Sequence, residues 1–287
     1  MIVGATASGK SAIALEVARR RPGVELVSMD SMALYRGMDI GTAAPTAADR
    51  AEVPHHLLDL VDPTEDFTVS DFQVAAREAL AGMEDRGSRA VLVGGTGLHV
   101  RAVVDDLEIP GRYDEVRAAL EADDDTSGLH ARLAALDPVA AGRMEATNRR
   151  RVVRALEVTL GSGRPFSSFG PGLEAYPATP FTQVGLRVDR DVMDRRIAER
   201  YQRQLDDGFL DEVRALEGLG GGLSRSAAQA LGYKELLAHL RGDRTLEDAV
   251  SDAVVATQRF ARRQERWFRR DPRIEWFDVA DDPLEAL

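Results

Sequence analysis

Gly4-Ala-Thr-Ala-Ser-Gly-Lys-Ser11 is the most informative stretch of this 287-residue sequence. A short apolar strand at 1–3 precedes it, and the periodicity of 12–21 predicts an amphipathic helix after it. Gly-x-x-x-x-Gly-Lys-Ser between a strand and a helix is the pattern of a phosphate-binding P-loop, in which backbone N–H groups and the helix dipole form one anion-binding concavity. The expected phosphate-binding residues are Gly4, Ala5, Thr6, Ala7, Ser8, Gly9, Lys10 and Ser11.

Two side chains of this loop have individual expected roles. Lys10 should reach terminal phosphate oxygens, and the hydroxyl of Ser11 should ligate Mg²⁺. Lys10 and Lys234 are the only lysines among 37 basic residues, which is a weak pointer to positions that need a compact ammonium group. The motif does not say which phosphate ester it binds, and a nucleoside triphosphate is the default.

The chain beyond the loop reads as an α/β protein of the P-loop NTPase-like type. Strands at 24–28 and 89–95 flank a helix at 71–85, which predicts a three-layer core with a parallel sheet. From 113 the sequence becomes helical and rich in Ala, Arg and Asp, and a Gly-, Pro- and Ser-rich loop covers 161–180. A strand at 182–188 and helices at 192–216 and 231–268 follow. We therefore expect a catalytic core of 1–112 and 181–287 with a helical C-terminal part, interrupted by a helical insertion domain at 113–180.

The composition limits the classes of protein. With 44% hydrophobic and 30% charged residues, the chain can bury a core, and the absence of cysteine excludes disulfides and thiolate sites. No apolar run reaches the roughly 18 residues that span a bilayer, and no signal peptide opens the sequence. We expect a cytoplasmic protein without a membrane partner. The net charge of −11 disfavours a non-specific nucleic-acid binder but leaves room for a local basic face.

Asp30 follows the second predicted strand, at the carboxyl end where ligands bind in open parallel sheets. A carboxylate there can act as a general base or bind Mg²⁺. It can equally be a helix N-cap beside a structural serine, and its spacing alone does not separate these readings.

Seven segments in order resemble the tRNA dimethylallyltransferases. They are the P-loop, 30–43, Val53-Pro-His-His-Leu57 with Asp62-Pro63, Val93-Gly-Gly-Thr-Gly-Leu98, Arg154-Ala-Leu-Glu-Val158, Gly232-Tyr-Lys-Glu235 and Arg262-Arg-Gln-x-x-Trp-Phe268. The resemblance implies transfer of a dimethylallyl group from dimethylallyl diphosphate to N6 of the adenosine 3′-adjacent to the anticodon. It also implies that the P-loop holds the diphosphate with Mg²⁺ as cofactor, that no ATP is consumed, and that the protein acts on the tRNA anticodon stem-loop as a monomer.

The resemblance also assigns roles to individual residues. Asp30 is the implied general base, Thr96 positions the substrates or donates to the leaving group, and Arg117 lies at the catalytic channel. The acceptor adenosine must leave the anticodon stack to reach Asp30. The implied tRNA-binding residues are Asp30, Ser31, Met32, Ala33, Arg150, Arg151, Arg154, Gly232, Tyr233, Lys234, Arg262, Arg263, Gln264, Trp267 and Arg269.

Two arginine-rich stretches, 148–154 and 259–273, could supply the basic face for RNA, with Trp267 and Phe268 available for stacking. The alternative is exposed helical faces with intrahelical ion pairs. At Asn148, Arg150, Arg266 and His99 the sequence departs from the residues that the family usually carries. His55-His56 lacks the accompanying ligands of a metal site, so zinc is not expected.

Three other functions share parts of these features. A P-loop small-molecule kinase would use the phosphate loop but not the C-terminal arginines. An isopentenyltransferase for free adenine nucleotides would need no RNA face. A tRNA-binding module whose nucleotide site only regulates binding would tolerate Asp30→Ala.

Overall fold

The computed structural model of the chain describes residues 1–279 and Leu284. The chain forms two compact units, Met1–Val104 with Ala178–Leu287, and Asp105–Pro177. The second unit is a helical insertion that begins eight residues and ends three residues before the predicted bounds, 113–180. None of the described helices has the length and apolarity that crossing a membrane requires.

The first unit is built on one six-stranded sheet in the order β3-β2-β4-β1-β5-β6, in which every pair of neighbours is parallel. This confirms the predicted α/β fold with a parallel sheet. The strands are β1 (Ile2–Gly4), β2 (Val24–Ser28), β3 (His55–His56), β4 (Arg89–Gly94), β5 (Gln183–Arg187) and β6 (Ile274–Asp278).

Twelve α-helices occur in the described part of the chain. The first four and the last four belong to the sheet unit, and the four between them form the insertion. They are α1 (Lys10–Arg20), α2 (Ala47–Glu52), α3 (Val69–Asp85), α4 (Gly97–Val104), α5 (Asp114–Glu121), α6 (Thr126–Leu136), α7 (Pro138–Gly142), α8 (Arg149–Ser162), α9 (Arg190–Asp206), α10 (Phe209–Glu217), α11 (Tyr233–Leu240) and α12 (Leu246–Phe268).

Helices cover both faces of the sheet. The crossovers β1–α1–β2 and β2–α3–β4 run in opposite directions across the sheet, so right-handed connections place α1 and α3 on opposite faces. Arg19 of α1 forms ion pairs with Asp49 and Glu52 of α2, which joins these two helices. Helices α4 and α12 contact each other, and α4 packs on α3. The result is the predicted three-layer arrangement.

The central strand β1 positions the P-loop. It lies between β4 and β5, so the loop after β1 opens at the carboxyl edge of the sheet, near the point where the order of the strands reverses. The loop after β4 ends at the same edge, on one side of the P-loop. The topology therefore brings the two glycine-rich segments of the sequence together.

The insertion has a hydrophobic core of its own. Leu120 of α5, Leu129 and Leu133 of α6, and Leu156 of α8 are buried together. Helix α8 is capped at its N-terminus by Asn148, whose side chain accepts from the N–H of Arg151, and at its C-terminus by Gly163 in the left-handed region (φ 72°). Four helices, α5 to α8, fill the segment that the sequence predicts to be helical.

Local signals explain where several elements begin. Helix α3 starts earlier than predicted because Thr68 and Asp71 form a capping box.

Two strands were not predicted at all. β3 has only two residues, and β6 follows Asp271-Pro-Arg273, where the composition continues the charged pattern of α12.

Candidate functional site

The P-loop has a backbone that only particular residues tolerate. Ala7 (φ 63°) and Gly9 (φ 85°) lie in the left-handed region, and Gly9 caps α1. A Cβ atom on Gly4 would lie 2.7 Å from Oγ of Ser8, so glycine is required there for Ser8 to fold inward. The residues of the motif therefore allow the backbone to fold back on itself between β1 and α1.

Lys10 lies at the base of this loop. Its Nζ donates to the carbonyl of Ala5 at 3.2 Å, within the loop itself. The pKa of Lys10 is lowered to about 8, mainly by burial; the negative charge of Asp30 opposes this lowering, and the charge of Arg200 adds to it. An anion bound in the loop would stabilise the protonated lysine, so this site is electrostatically prepared for a phosphate group.

Two arginines of α9 reach the same loop. Nη1 of Arg200 donates to Oγ1 of Thr6 at 2.9 Å, and Nη1 of Arg196 donates to the carbonyl of Ala7 at 3.2 Å. Sequence reasoning missed both residues. They are four positions apart, which places them on one face of the helix, but α9 contains three other arginines with nothing to distinguish them.

Buried polar atoms without partners make this region a candidate ligand site. Oγ of Ser8 and Nε of Arg200 are buried and make no hydrogen bond to any described residue. Such atoms are rare in folded proteins unless a ligand or water satisfies them. Burial also lowers the pKa of Arg200, which is the cost of holding a guanidinium group here. A bound anion would satisfy these groups.

Asp30 begins the loop after β2, and its charge couples it to the P-loop. Its carboxylate opposes the burial-induced lowering of the pKa of Lys10, Arg200 and His99. Oδ1 of Asp30 accepts from the backbone N–H of Met32 at 2.8 Å and of Ala33 at 3.4 Å. This turn fixes the side chain, so the capping geometry and a chemical role are compatible at this position.

Thr96 connects the β4 loop to the Asp30 loop. Oγ1 of Thr96 accepts from the backbone N–H of Ser31 at 3.2 Å, and it lies 3.4 Å from Oγ of Ser31. The next helix, α4, carries His99, which stacks on Phe72 with ring centroids 4.2 Å apart. Burial lowers the pKa of His99 to about 4, so this imidazole is neutral at pH 7.

Gln264 of α12 holds the P-loop to the β4 loop. Its Oε1 accepts from the N–H of Thr6 at 2.8 Å, and its Nε2 donates to the carbonyl of Gly95 at 2.8 Å. The residue is buried, with both ends of its amide occupied. The structure thus gives Gln264, expected to contact tRNA, a bridging position between two loops of the site. Trp267, one turn later, packs against Gly97, where a Cβ atom would lie 2.2 Å from its ring.

The segment after Asp30 is anchored by Glu212 of α10. Its carboxylate accepts from the backbone N–H groups of Asp39, Ile40 and Gly41 at 3.0, 2.7 and 3.1 Å. The hydroxyl of Tyr233 donates to the same carboxylate at 2.6 Å. Tyr233 is therefore buried in a structural contact, although it was expected on the RNA side.

The other expected RNA-binding residues of the sheet unit differ in exposure. Ala33 and Gly232 are buried, whereas Ser31 and Met32 are half-buried. Several side chains are exposed or partly exposed on α11 and α12 and carry the positive charge; they are Lys234, Arg262, Arg263 and Arg269. Arg269 is paired with Glu265 at 2.5 Å and Arg262 with Asp194 at 3.5 Å, so the predicted alternative of ion-paired helical faces is partly realised.

In the insertion, Arg150 and Arg151 are exposed in the first turn of α8. Positive charge at a helix N-terminus opposes the helix dipole, which an RNA phosphate would relieve. Arg154 donates to the carbonyls of Pro110 and Gly111 and to Glu157, and Arg117 pairs with Glu121 at 2.9 Å. These contacts lie within the insertion.

His55 and His56 form β3 rather than a metal site. Nε2 of His56 lies 2.6 Å from the carboxylate of Glu25, and Nδ1 of His55 lies 2.7 Å from the carbonyl of Val53. Hydrogen bonds from Ser88, Arg86 and His56 lower the pKa of Glu25 to about 2. The pair therefore stabilises the edge of the sheet.

The site suits Mg²⁺ as a partner of a bound phosphate. Ser11 is exposed at the first turn of α1, and its hydroxyl is the hard oxygen ligand that Mg²⁺ takes. The described residues contain no group of three or more His, Cys, Asp or Glu side chains that could hold a metal. Mg²⁺ commonly binds through one or two protein oxygens plus substrate phosphates, and the donors here fit that mode.

Comparisons with known proteins agree with this geometry. A sequence model of the IPP transferase family matches residues 33–271. Curated relatives include the tRNA dimethylallyltransferase of Pseudarthrobacter chlorophenolicus, which is 48% identical over 99% of this chain and 95% of the relative's length. The tRNA dimethylallyltransferase of Streptomyces avermitilis is 48% identical over 100% of this chain and 92% of the relative's length.

Solved structures give the same result. The tRNA isopentenylpyrophosphate transferase of Bacillus halodurans is 38% identical, with a TM-score of 0.71, over 99% of this chain and 91% of that chain. A eukaryotic dimethylallyltransferase acting on tRNA has a TM-score of 0.80 at 23% identity, covering 99% of this chain and 74% of that chain, a likeness that shows the fold. By sequence and by fold, the chain belongs to the IPP transferase family.

Proposed function

We propose that the protein transfers a dimethylallyl group from dimethylallyl diphosphate to N6 of the adenosine 3′-adjacent to the anticodon in tRNA, releasing pyrophosphate. Family membership supports the prenylation of tRNA. The observation that carries the proposal is that Lys10 and Arg200 both bond to the P-loop, at Ala5 and Thr6, where the charge of Asp30 reaches both of them. Asp30 would serve as the carboxylate for the acceptor amine, and Lys10 and Arg200 as the cations for the leaving group.

The reaction replaces one bond at C1 of the donor. The C1–O bond to the diphosphate breaks, N6 of adenine bonds to C1, and Asp30 takes a proton from N6. Lys10, Arg200 and the P-loop backbone would stabilise the negative charge that develops on the leaving diphosphate. Mg²⁺, held by Ser11 and the phosphates, would add a cation beside that charge. Thr96 would hold the Asp30 loop in register through Ser31.

The acceptor end needs a surface for the RNA backbone. The exposed cations Lys234 and Arg263 in the sheet unit and Arg150 and Arg151 in the insertion would contact phosphates of the anticodon stem-loop. The acceptor base would leave the stack to reach Asp30. Because tRNA is the acceptor, we propose that the protein works in the cytoplasm, and that it does so as a monomer.

The test is one incubation with Mg²⁺, dimethylallyl diphosphate and unmodified tRNA, without ATP, followed by mass spectrometry of the nucleosides. We expect a five-carbon gain on the adenosine beside the anticodon. A tRNA in which that adenosine is replaced by guanosine is the matched control and should gain nothing.

Two other outcomes would overturn the proposal. Alkylation of AMP but not of tRNA in a parallel reaction would identify an isopentenyltransferase for free nucleotides. Turnover of ATP with neither acceptor modified would identify a kinase. Neither alternative accounts for the match to tRNA-modifying relatives along the whole chain.

A further inference from the structure

A buried glutamate of the insertion, Glu157 on α8, has a place in the structure that the proposed chemistry does not use. Its side chain is fully buried, and Oε1 accepts from the backbone N–H of Tyr113 at 3.0 Å and from Nη1 of Arg154 at 2.5 Å. Its second oxygen, Oε2, is buried and has no hydrogen-bond partner among the described residues. A buried carboxylate oxygen without a donor is costly, so it calls for an explanation.

Arg117 is a second cation beside this carboxylate, in addition to Arg154. Nη1 of Arg117 lies 3.6 Å from Oε2 of Glu157, which is an ion pair slightly too long for a hydrogen bond. The same guanidinium donates through Nε to Oε1 of Glu121 at 3.0 Å, and its Nη2 forms an ion pair with that oxygen at 2.9 Å. Arg117 therefore lies between one carboxylate that is 47% exposed and one that is fully buried.

The two carboxylates that contact Arg117 differ in how easily they can move away from it. Glu121 and Arg117 form an exposed pair four residues apart on α5, and such pairs shift an equilibrium by only about two-fold. Glu157 is held in place, because its side chain is fully buried and both Tyr113 and Arg154 donate to its Oε1. Arg154 in turn is bonded to the carbonyls of Pro110 and Gly111, so its guanidinium is committed to the fold.

We propose that, in the absence of tRNA, Glu121 occupies the position on Arg117 that an RNA phosphate takes when tRNA binds. A tRNA phosphate displaces Glu121, because phosphate and carboxylate offer the same paired oxygens to a guanidinium group. Glu157 then acts as a positioning residue, since its free Oε2 closes on Arg117 and keeps the guanidinium in place. The inference rests on the proposed function only in taking tRNA as the ligand.

The experiment measures the Kd for unmodified tRNA in the absence of donor, so it can be read even if no prenylation occurs. The variants are Glu121→Gln and Glu157→Gln, and Glu115→Gln is the control because it removes an exposed charge from the same helix. We expect Glu121→Gln to tighten binding by about two-fold relative to Glu115→Gln. We expect Glu157→Gln to weaken it by about ten-fold, since hydrogen bonds to charged groups are worth that much.

Salt dependence separates positioning from loss of folded protein. If Arg117 no longer holds its phosphate in Glu157→Gln, the slope of log Kd against log salt should fall by about one. Partial unfolding would lower the concentration of active protein without changing that slope. The folded fraction itself is measured by thermal unfolding followed by circular dichroism.

Three results would overturn the inference. The first is Glu121→Gln binding tRNA no more tightly than Glu115→Gln. The second is a Glu157→Gln variant with an unchanged salt slope. The third is a Glu121→Gln variant whose KM falls for dimethylallyl diphosphate but not for tRNA, which would assign the phosphate to the donor.

Discussion

Replacing Gln264 by leucine separates two roles for one residue. The side chain is buried and joins the N–H of Thr6 to the carbonyl of Gly95, each at 2.8 Å. Leucine has nearly the same size but neither a donor nor an acceptor. Gln264→Leu therefore removes the link between the P-loop and the β4 loop while leaving the volume of the site nearly unchanged.

The expected cost follows from the two groups left behind. A buried donor or acceptor that loses its partner costs about 1–3 kcal/mol, so the free energy of unfolding should fall by about 2–6 kcal/mol. That is a large fraction of the roughly 5–15 kcal/mol by which native proteins are stable. Because Thr6 and Gly95 belong to the two loops that we propose bind the donor and position Asp30, the KM for dimethylallyl diphosphate should rise as well.

Urea denaturation followed by circular dichroism measures the stability, and steady-state prenylation measures each KM. Gln202→Leu is the matched control, because Gln202 is exposed on α9 and makes one hydrogen bond with Asp206. An exposed substitution of this kind should change the free energy of unfolding by no more than about 0.5 kcal/mol.

The opposite pattern would refute the bridging role. If Gln264→Leu is as stable as Gln202→Leu and raises only the KM for tRNA, then Gln264 contacts RNA, as the sequence resemblance implied. A fall in stability with an unchanged KM for tRNA supports the position seen in the structure.

Three further predictions follow from the same contacts. Donor binding should be strong below pH 8 and weaken by up to about ten-fold per pH unit above it. The reason is that the pKa of Lys10 without ligand is about 8, and a bound diphosphate favours the protonated lysine. Calorimetry in two buffers should therefore show proton uptake on binding, and Lys10→Arg should abolish that uptake. Glu212→Gln should lower the free energy of unfolding by about 1–3 kcal/mol, because three backbone N–H groups and the hydroxyl of Tyr233 lose a charged acceptor. The neighbouring substitution Asp211→Asn should leave the stability nearly unchanged, and equal urea midpoints for the two variants would contradict this prediction. Gly41→Ala should cost about 1–3 kcal/mol in thermal unfolding, because its Cβ would lie 2.3–2.5 Å from the rings of Phe209 and Tyr233, and a wild-type melting curve would show that the loop has room to adjust.

Much of the sheet unit could be predicted because its signals are local. The P-loop pattern specifies a strand before it and a helix after it, and β2 was placed at the residues where it is found, Val24–Ser28. Asp30 could be placed at the ligand edge of the sheet from the strand before it alone. These features depend on neighbours in sequence, which a single chain displays directly.

Features that depend on distant contacts could not be predicted. Arg196 and Arg200 differ from the other arginines of α9 only in facing the P-loop, roughly 190 residues away in sequence, and no local pattern shows that. Tyr233 and Gln264 are polar residues in motifs that resemble an RNA-binding family, so they read as contact residues. Their burial becomes visible only when α10 and the P-loop are packed against them.

The most direct test of the central claim is the rate of a single turnover by Asp30→Asn with saturating donor and tRNA. Asparagine keeps an oxygen that can accept from the N–H of Met32, so the turn should remain, but an amide cannot take the N6 proton. A general base contributes about 10²–10⁴-fold, and we predict a loss of that size with a Kd for tRNA within about two-fold of wild type. A variant that prenylates tRNA at the wild-type rate would contradict the role of Asp30 and the account of this site.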